Sequence, residues 1–304
     1  MHDIVIIGCG YIGTNLANYF AINSNRNITL YGTDNSYSRM LNPRINFVLK
    51  RMEEINDTDI DVFQDSIIID ATGNTTPINE LKDSSILFID NCLSKIHFIK
   101  QLEKMHINKY IFLSSGGTVY TDSINPHKET ELLDPKSLYG LEKAIIEKYL
   151  TIYGLEENKF NYEILRISNP YGGFISQNKK QGIIDVALLK LFNNETFNLY
   201  GDYDNIRDYI YINDLCKIVL KLIDTDINNE IINIGSGEGH TIREIIELIE
   251  KYTNKKLTIN HIESKTKNIK ANILDMDKLK SIVGDIDYCS LEEGIQLCLK
   301  RFNK

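Results

Sequence analysis

The chain has 304 residues, 42% apolar and 25% charged, an ordinary globular composition long enough to bury a core without disulfides or a structural metal. Asp and Glu outnumber Lys and Arg by 42 to 34, and the net charge of −8 argues against broad nucleic-acid binding. No apolar run approaches the roughly 18 residues of a membrane helix, so no membrane partner is expected.

The N-terminus enters an apolar strand directly at residues 3–7, with no basic stretch and export-type apolar run ahead of it, so a cytoplasmic protein is expected. Further strands are expected at 28–32, 45–49, 66–70, 86–89, 109–113 and 162–167, with helices at 11–22, 76–82, 93–106 and 137–153. The strand runs are apolar throughout and do not alternate. That is the pattern of a parallel sheet covered on both faces, a doubly wound α/β fold. After Pro170 the texture changes. A Gly/Asn/Gln/Lys loop at 172–182 leads to a helix at 183–192 and a strand at 197–200. A Gly201-Asp202 turn, a strand at 208–212 and a helix at 213–223 follow. A strand at 230–234, a Gly-rich turn, a helix at 241–252 and a charged tail complete the chain. No repeat or low-complexity linker separates the halves, so the second is expected to pack on the first.

The five cysteines (9, 92, 216, 289, 298) show no CxxC or Cys/His spacing. They read as small buried hydrophobes in a reducing compartment. The six histidines form no HxxxH or HExxH pair, so neither a metal centre nor a histidine-based nucleophile is expected.

Gly8-Cys9-Gly10-Tyr11-Ile12-Gly13 follows the first strand and opens a helix. Glycines there permit a tight turn and close approach to a pyrophosphate, and the helix N-terminus offers free N–H groups. At the first strand–helix junction of an alternating chain this GxGxxG predicts dinucleotide binding. An acid at the end of the second strand would hold the adenosine ribose. Asp34 is close to the expected spacing, but Gly32 could equally fill the slot, which would leave no acid. Arg39 and Arg51 lie nearby and could face a 2′-phosphate; NAD is favoured over NADP.

Tyr139 and Lys143 are spaced i, i+4 at the start of a predicted helix, which puts both on one face. A phenol with a pKa of about 10 needs a neighbouring cation to act as a base near neutrality. Twenty residues upstream a strand ends in Phe112-Leu-Ser114-Ser115-Gly116-Gly117-Thr118-Val119-Tyr120. Together with the Gly-rich loop, this set resembles the extended short-chain dehydrogenase/reductase family. Within it, the chain looks like the nucleotide-sugar epimerases and dehydratases of the UDP-glucose 4-epimerase type. Arg166-Ile-Ser-Asn169-Pro170-Tyr-Gly172, Lys180-Gln-Gly182, Gly201-Asp202…Arg207-Asp208-Tyr-Ile-Tyr and Asn233-Ile-Gly-Ser-Gly237 extend the resemblance over nearly the whole chain.

The resemblance implies a Rossmann-type NAD(P)-binding domain at 1–168 and a smaller, interleaved sugar-nucleotide-binding part at 169–304. Gly8, Gly10, Tyr11, Ile12 and Gly13 would hold the pyrophosphate. Ala71, Thr72, Gly73 and Asn91 would line the cofactor cleft, with Asp34 toward the ribose. Tyr139 would be the base; Lys143 would bind the nicotinamide ribose and lower the Tyr139 pKa. Asn169 and Arg207 would grip the substrate diphosphate. A homodimer through 93–106 and 137–153, and a role in surface-polysaccharide precursor synthesis, are implied in the same way.

Three departures stand out. The family's catalytic Ser or Thr falls three positions before Val119, where this chain has Gly116; Ser115 or Thr118 would have to replace it, with Thr118 preferred. Gly117 and Thr118 stand where 4,6-dehydratases carry an Asp-Glu pair, and elimination needs a positioned acid and base, so dehydration is disfavoured. Arg51, Lys265 and Asn268 replace residues that contact the nucleotides in relatives. The leading expectation is an NAD-dependent 4-epimerase working through a transient 4-keto sugar. The alternatives are a sugar 4-dehydrogenase or 4-keto-sugar reductase, and a non-catalytic dinucleotide-binding protein.

Overall fold

A computed structural model describes residues 2–73, 84–155, 160–177, 179–262 and 269–302. In chain order the first half runs β1 (Ile4–Ile7), α1 (Tyr11–Asn23), β2 (Ile28–Gly32), β3 (Ile45–Leu49), α2 (Ile60–Phe63), β4 (Ile67–Asp70), α3 (Ser84–Leu102), β5 (Lys109–Ser115), α4 (Gly116–Val119), α5 (Leu138–Leu155) and β6 (Asn161–Ile167). The second half runs β7 (Asn169–Tyr171), α6 (Ile183–Phe192), β8 (Phe197–Tyr200), β9 (Ile206–Tyr211), α7 (Ile212–Ile223), β10 (Glu230–Ile234), β11 (Gly239–Thr241), α8 (Ile242–Thr253), β12 (Ile259–Ile262), β13 (Ala271–Asn272), α9 (Asp277–Val283) and α10 (Leu291–Leu299).

Seven strands form one sheet in the order β10-β6-β5-β4-β1-β2-β3, and every neighbouring pair is parallel. Both faces are covered, which explains the unbroken apolar runs. In β1, Ile4 and Ile6 point into a core shared with α1 and α7, while Val5 and Ile7 point into one shared with α3 and α5. The chain re-enters this sheet late: β10 pairs with β6, and α7 packs on α1. A second small sheet (β11-β9-β13, with β7 also on β9), the β8–β12 pair, α6, α8 and α10 surround a third core of Leu188, Phe197, Tyr209, Ile245 and Ile295, among others.

One expectation fails. Residues 86–89 are not a strand; they lie in α3, which begins earlier than predicted. Ile86, Leu87 and Ile89 are exposed, and the helix is held to the sheet by Phe98, Ile99 and Leu102 further along. A short apolar run carries no period of its own, so it could not distinguish the two. The charged tail is also ordered where described, as β12, β13, α9 and α10. The helix predicted at 76–82 falls outside the described residues, as do Lys265 and Asn268. Among the described residues no helix is long and apolar enough to cross a membrane, and no His/Cys/Asp/Glu group could hold a metal. Four of the five cysteines are buried; Cys289 is partly exposed.

Candidate active site

The strand order reverses at β1 and β4: the chain runs outward through β2 and β3, then returns to the other side of β1. A crevice opens at the carboxyl ends of strands at such a point. Here it is a cavity of about 590 Å³ lined by the Gly8–Gly10 turn, Ala71–Gly73 and residues of α3, α5 and the turn after β3.

The glycines divide the work. Gly8 has φ +109°, and a Cβ there would lie 2.8 Å from the Ala71 carbonyl oxygen. At Gly13 a Cβ would lie 2.0 Å from the Gly8 carbonyl, so the helix could not pack this close. A Cβ at Gly10 would meet nothing within 4 Å, leaving the turn open to the cavity. The α1 N-terminus has neither a side-chain cap nor an acid in its first turn. Its first N–H groups are therefore free of side-chain partners and unopposed by negative charge, which fits a pyrophosphate. The Tyr11 and Ile12 side chains turn away. Tyr11 donates its hydroxyl to the Gly172 carbonyl at 3.0 Å and Ile12 packs on the core, so only their backbones can serve a phosphate.

Asp34 does not line the cavity; Thr33 and Asn35 do. Asp34 is exposed, accepts a hydrogen bond from Ser38 and lies 3.9 Å from Arg39. The strand-end slot holds Gly32, where a Cβ would lie 2.3 Å from the Cys9 Cβ. No acid fits there. Arg51 lines the cavity and Arg39 does not.

At the carboxyl end of β5 the chain turns into the single helical turn α4. The Ser115 side chain hydrogen-bonds Tyr139. Thr118 Oγ1 instead donates back to the Ser115 carbonyl at 3.5 Å. A Cβ at Gly116 would point at buried Leu274, 2.7 Å from its Cδ1, so the expected hydroxyl position faces the core.

Lys143 is buried, donates to the Leu113 carbonyl at 2.9 Å, and lies 4.8 Å from the Phe112 ring centre and 5.7 Å from that of Tyr139. Burial pushes the Tyr139 phenol up; Ser115 opposes this, Glu142 adds to it, and Lys95 opposes it. A further buried cation near the site is Lys95, which the sequence reading missed. Its signal was a lysine within the buried α3 stripe of Cys92, Lys95, Ile99 and Leu102. Lys95 pairs with Asp70, the acid that closes the all-isoleucine run of β4. Asn91 lines the cavity and donates to Glu142 at 3.1 Å.

Asn169 Nδ2 donates to the Asp208 carbonyl at 2.8 Å. Arg207 makes no ion pair with Asp202 or Asp208; its guanidinium donates to the carbonyls of Ile206 at 2.8 Å and Ile269 at 2.6 Å. Among the described residues its hydrogen bonds go to neutral carbonyls, and the Asp122 carboxylate acts on it only through space. Asp208 accepts the N–H groups of Ser236 and Gly237 at 2.9 and 3.1 Å, and Gly235 makes room for it.

Residues 4–235 match the NAD dependent epimerase/dehydratase family. The chain is 36% identical over 212 residues to a dTDP-4-dehydro-6-deoxyglucose reductase of Escherichia coli, covering 70% of this chain and 67% of that protein. It is 28% identical over 302 residues to a putative UDP-glucose 4-epimerase of Methanocaldococcus jannaschii, covering 96% and 95%. Its fold matches the UDP-glucose 4-epimerase of Thermotoga maritima, solved with UDP-glucose, with a TM-score of 0.89 at 24% identity over 100% of this chain and 99% of that one. A glycine cradle shaped for a pyrophosphate, a strand-end serine on a tyrosine and a sequence match over residues 4–235 all lead to the same place: the chain belongs to the NAD-dependent epimerase/dehydratase family.

Proposed function

We propose that this protein is a nucleotide-sugar 4-epimerase in which Tyr139 is the base. One observation carries the reading: the Tyr139 phenol meets the Ser115 hydroxyl at the end of β5, beside the dinucleotide-shaped cleft, with no carboxylate at 117 or 118. Bound NAD supplies a hydride acceptor that also returns the hydride. The chain's own part is proton handling and orientation. Tyr139 accepts the proton of the sugar 4-hydroxyl as that carbon is oxidised, and gives it back to the opposite configuration. Ser115 takes the place expected for a hydroxyl at 116 and donates to the sugar oxygen. Lys143 is one turn along α5 from Tyr139, and its part in this reading is to hold the nicotinamide ribose. Arg207, hydrogen-bonded to carbonyls among the described residues, offers a charge to a diphosphate, and Asn169 a neutral donor. Elimination of water lacks its acid, which argues against a dehydratase.

A 4-keto-sugar reductase is the second reading, favoured by the 36% identity to the E. coli reductase. The same proton chemistry serves it, but the cofactor must then exchange. We also propose a homodimer through the α3/α5 face. Ile86, Ile89 and Leu93 form one stripe on α3, with Leu141 and Ile152 exposed on α5. A contiguous apolar stripe of this kind suits helix pairing.

The test is to incubate the purified protein with UDP-, GDP-, CDP- and dTDP-hexoses, without added cofactor, and follow the products by NMR. C4 epimers would support the first reading, and Tyr139→Phe should abolish their formation. A 4-keto sugar reduced only when NADH or NADPH is added would move the assignment to the second. Full activity in Tyr139→Phe would overturn both.

A further inference from the structure

We propose that the adenosine end of the cofactor cleft accepts a 2′-phosphate, so that this chain binds NADP(H) as well as NAD(H), and that Arg51 receives the phosphate. The inference rests on the dinucleotide cleft alone and not on which sugar is turned over.

A dinucleotide cleft of this kind excludes a 2′-phosphate with a carboxylate at the end of the second strand, which holds the ribose hydroxyl and repels a further anion. No carboxylate fits that position here. The strand-end residue is Gly32, and a Cβ on it would lie 2.3 Å from the Cys9 Cβ and 2.9 Å from the Cys9 nitrogen. The residues that follow do not supply the acid either. Asp34 is exposed, does not line the cavity, and is engaged by Ser38 and Arg39. Thr33 and Asn35 do line it. Asn35 is spent on the turn itself: its Nδ2 donates to the Cys9 carbonyl at 2.9 Å and its Oδ1 accepts the Tyr37 N–H at 2.7 Å. What β2 and its turn present to the cleft is therefore neutral.

The neighbouring strand brings the charge. β3 pairs with β2 in register, Gly32 on Leu49, and the Lys50 N–H donates to the Gly32 carbonyl at 3.0 Å. Lys50 and Arg51 thus leave the sheet beside the end of β2, and both line the cavity. They differ in what holds them. Lys50 Nζ lies 2.6 Å from the Asp59 carboxylate, so its charge is balanced. Arg51 is exposed, and among the described residues its guanidinium has no hydrogen bond or ion pair. Its backbone is held instead, with the N–H donating to the Glu54 carboxylate at 2.6 Å. A guanidinium on an anchored stem with a free head suits a phosphate, which it can take with two parallel bonds. Glu53 lines the same cavity, and its charge offsets that of Arg51. This end of the cleft is therefore close to neutral, where a carboxylate on β2 would have made it negative. Near neutrality and a free guanidinium give acceptance of both dinucleotides, without a strong preference for either.

The test reads bound dinucleotide, not turnover. The purified protein is dialysed against a large, equal excess of NADH and NADPH until the bound ratio is constant. Free dinucleotide is removed by gel filtration, and the bound cofactor is extracted and quantified by mass spectrometry. NADPH should make up at least about one part in ten of what is bound, an affinity within about tenfold of that for NADH. Arg51→Ala should lower the NADPH:NADH ratio by about 10- to 100-fold, the range for losing a hydrogen bond to a charged group. Arg51→Asp should lower it further. Raising the ionic strength to about 1 M, where the screening length falls to about 3 Å, should lower the parent ratio and move that of Arg51→Ala less. Arg39→Ala removes another exposed arginine, one that does not line the cavity, and should leave the ratio unchanged. Both arginines are exposed, so these variants keep the core intact. A parent that takes up less NADPH than that, an Arg51→Ala protein with the parent ratio, or an equal fall in Arg39→Ala overturns the proposal. No sugar is present, so the measurement can fail while the epimerase reading stands. It can equally succeed if no nucleotide sugar is turned over.

Discussion

Replacing Gly116 by serine would restore a hydroxyl at the position where the sequence pattern calls for one. The structure predicts that this gains nothing. A Cβ at 116 would lie 2.7 and 3.0 Å from the two terminal methyls of Leu274 and 3.1 Å from the Arg166 carbonyl oxygen. Comfortable carbon contacts begin near 3.5 Å, so the overlap with Leu274 is close to 1 Å. Leu274 is fully buried, and the carbonyl belongs to β6 and cannot swing aside. Overpacking of this degree costs about 1–3 kcal/mol. For a chain of this length that lowers Tm by about 2–5 °C. The hydroxyl would also point into the core, away from Tyr139, so turnover should not rise. Pairing Gly116→Ser with Leu274→Ala should recover part of the loss, giving a favourable coupling of about 1–2 kcal/mol in a double-mutant cycle. Calorimetry on the four proteins and initial rates on the identified nucleotide sugar decide it. A Gly116→Ser protein that melts like the parent and turns over faster would show that position 116 faces the site and that the geometry argued here is wrong.

Ser115 and Thr118 separate cleanly. Ser115→Ala should lower kcat by about 10²- to 10³-fold, the range for losing one donor to a reacting oxygen, whereas Thr118→Val should stay within about tenfold of the parent; steady-state rates that reverse this order would return the role to Thr118. Asn15 donates to the carbonyls of Tyr11 and Phe174 at 2.8 and 2.9 Å and accepts the Phe174 N–H at 2.8 Å. Removing the two bonds to Phe174 costs about 2 kcal/mol, so Asn15→Ala should raise KM for the nucleotide sugar by about 10- to 30-fold with a smaller change in kcat. An unchanged KM would mean that the 172–174 loop needs no anchor on α1.

The sheet was legible because its chemistry is local and repeated. A strand such as Ile4-Val5-Ile6-Ile7, apolar on both sides, has only one stable place, between two helical layers. The glycine turn was legible because Gly8 and Gly13 answer separate steric demands in a short stretch of chain. Ile86–Ile89 misled because those side chains are exposed on a helix and so lack the burial that makes an apolar run readable. The choice between Ser115 and Thr118 depended on where a strand stops. With β5 ending at Ser115, Thr118 belongs to a helical turn and its hydroxyl goes to a backbone carbonyl. No spacing rule contains that. The same holds for Asp34: whether it or Gly32 occupies the strand end is settled by Cys9 from the neighbouring turn, a contact between distant positions. Lys95 was readable in principle, as a charge on a buried stripe, but its partner Asp70 lies in another element.

Side-chain contacts also tie the phosphate helix to the chain after Pro170. The 172–174 loop, which the sequence assigns to the substrate side, is bound to the phosphate helix at three points: Tyr11 to Gly172, and Asn15 to both backbone groups of Phe174. Gly173 has φ +64°, and a Cβ there would lie 2.3 Å from the Asn15 carboxamide oxygen, so the fit leaves no slack. Behind the loop, buried Asp185 accepts from Lys179 at 2.7 Å, from Arg301 at 2.9 Å and from the Gly172 N–H at 3.1 Å. Lys179 lies 3.3 Å from the centre of the Tyr11 ring. A motif residue of the dinucleotide turn is thereby wedged between the substrate loop and a cluster that reaches the C-terminal end of α10. Seating a pyrophosphate on α1 must fix Tyr11, and fixing Tyr11 fixes the loop. Conversely, a sugar nucleotide that orders the loop presses on the helix that carries the cofactor. Cofactor and substrate affinities should therefore be positively coupled through Tyr11 and Asn15, a link built from side chains of the phosphate helix that turn toward the 172–174 loop.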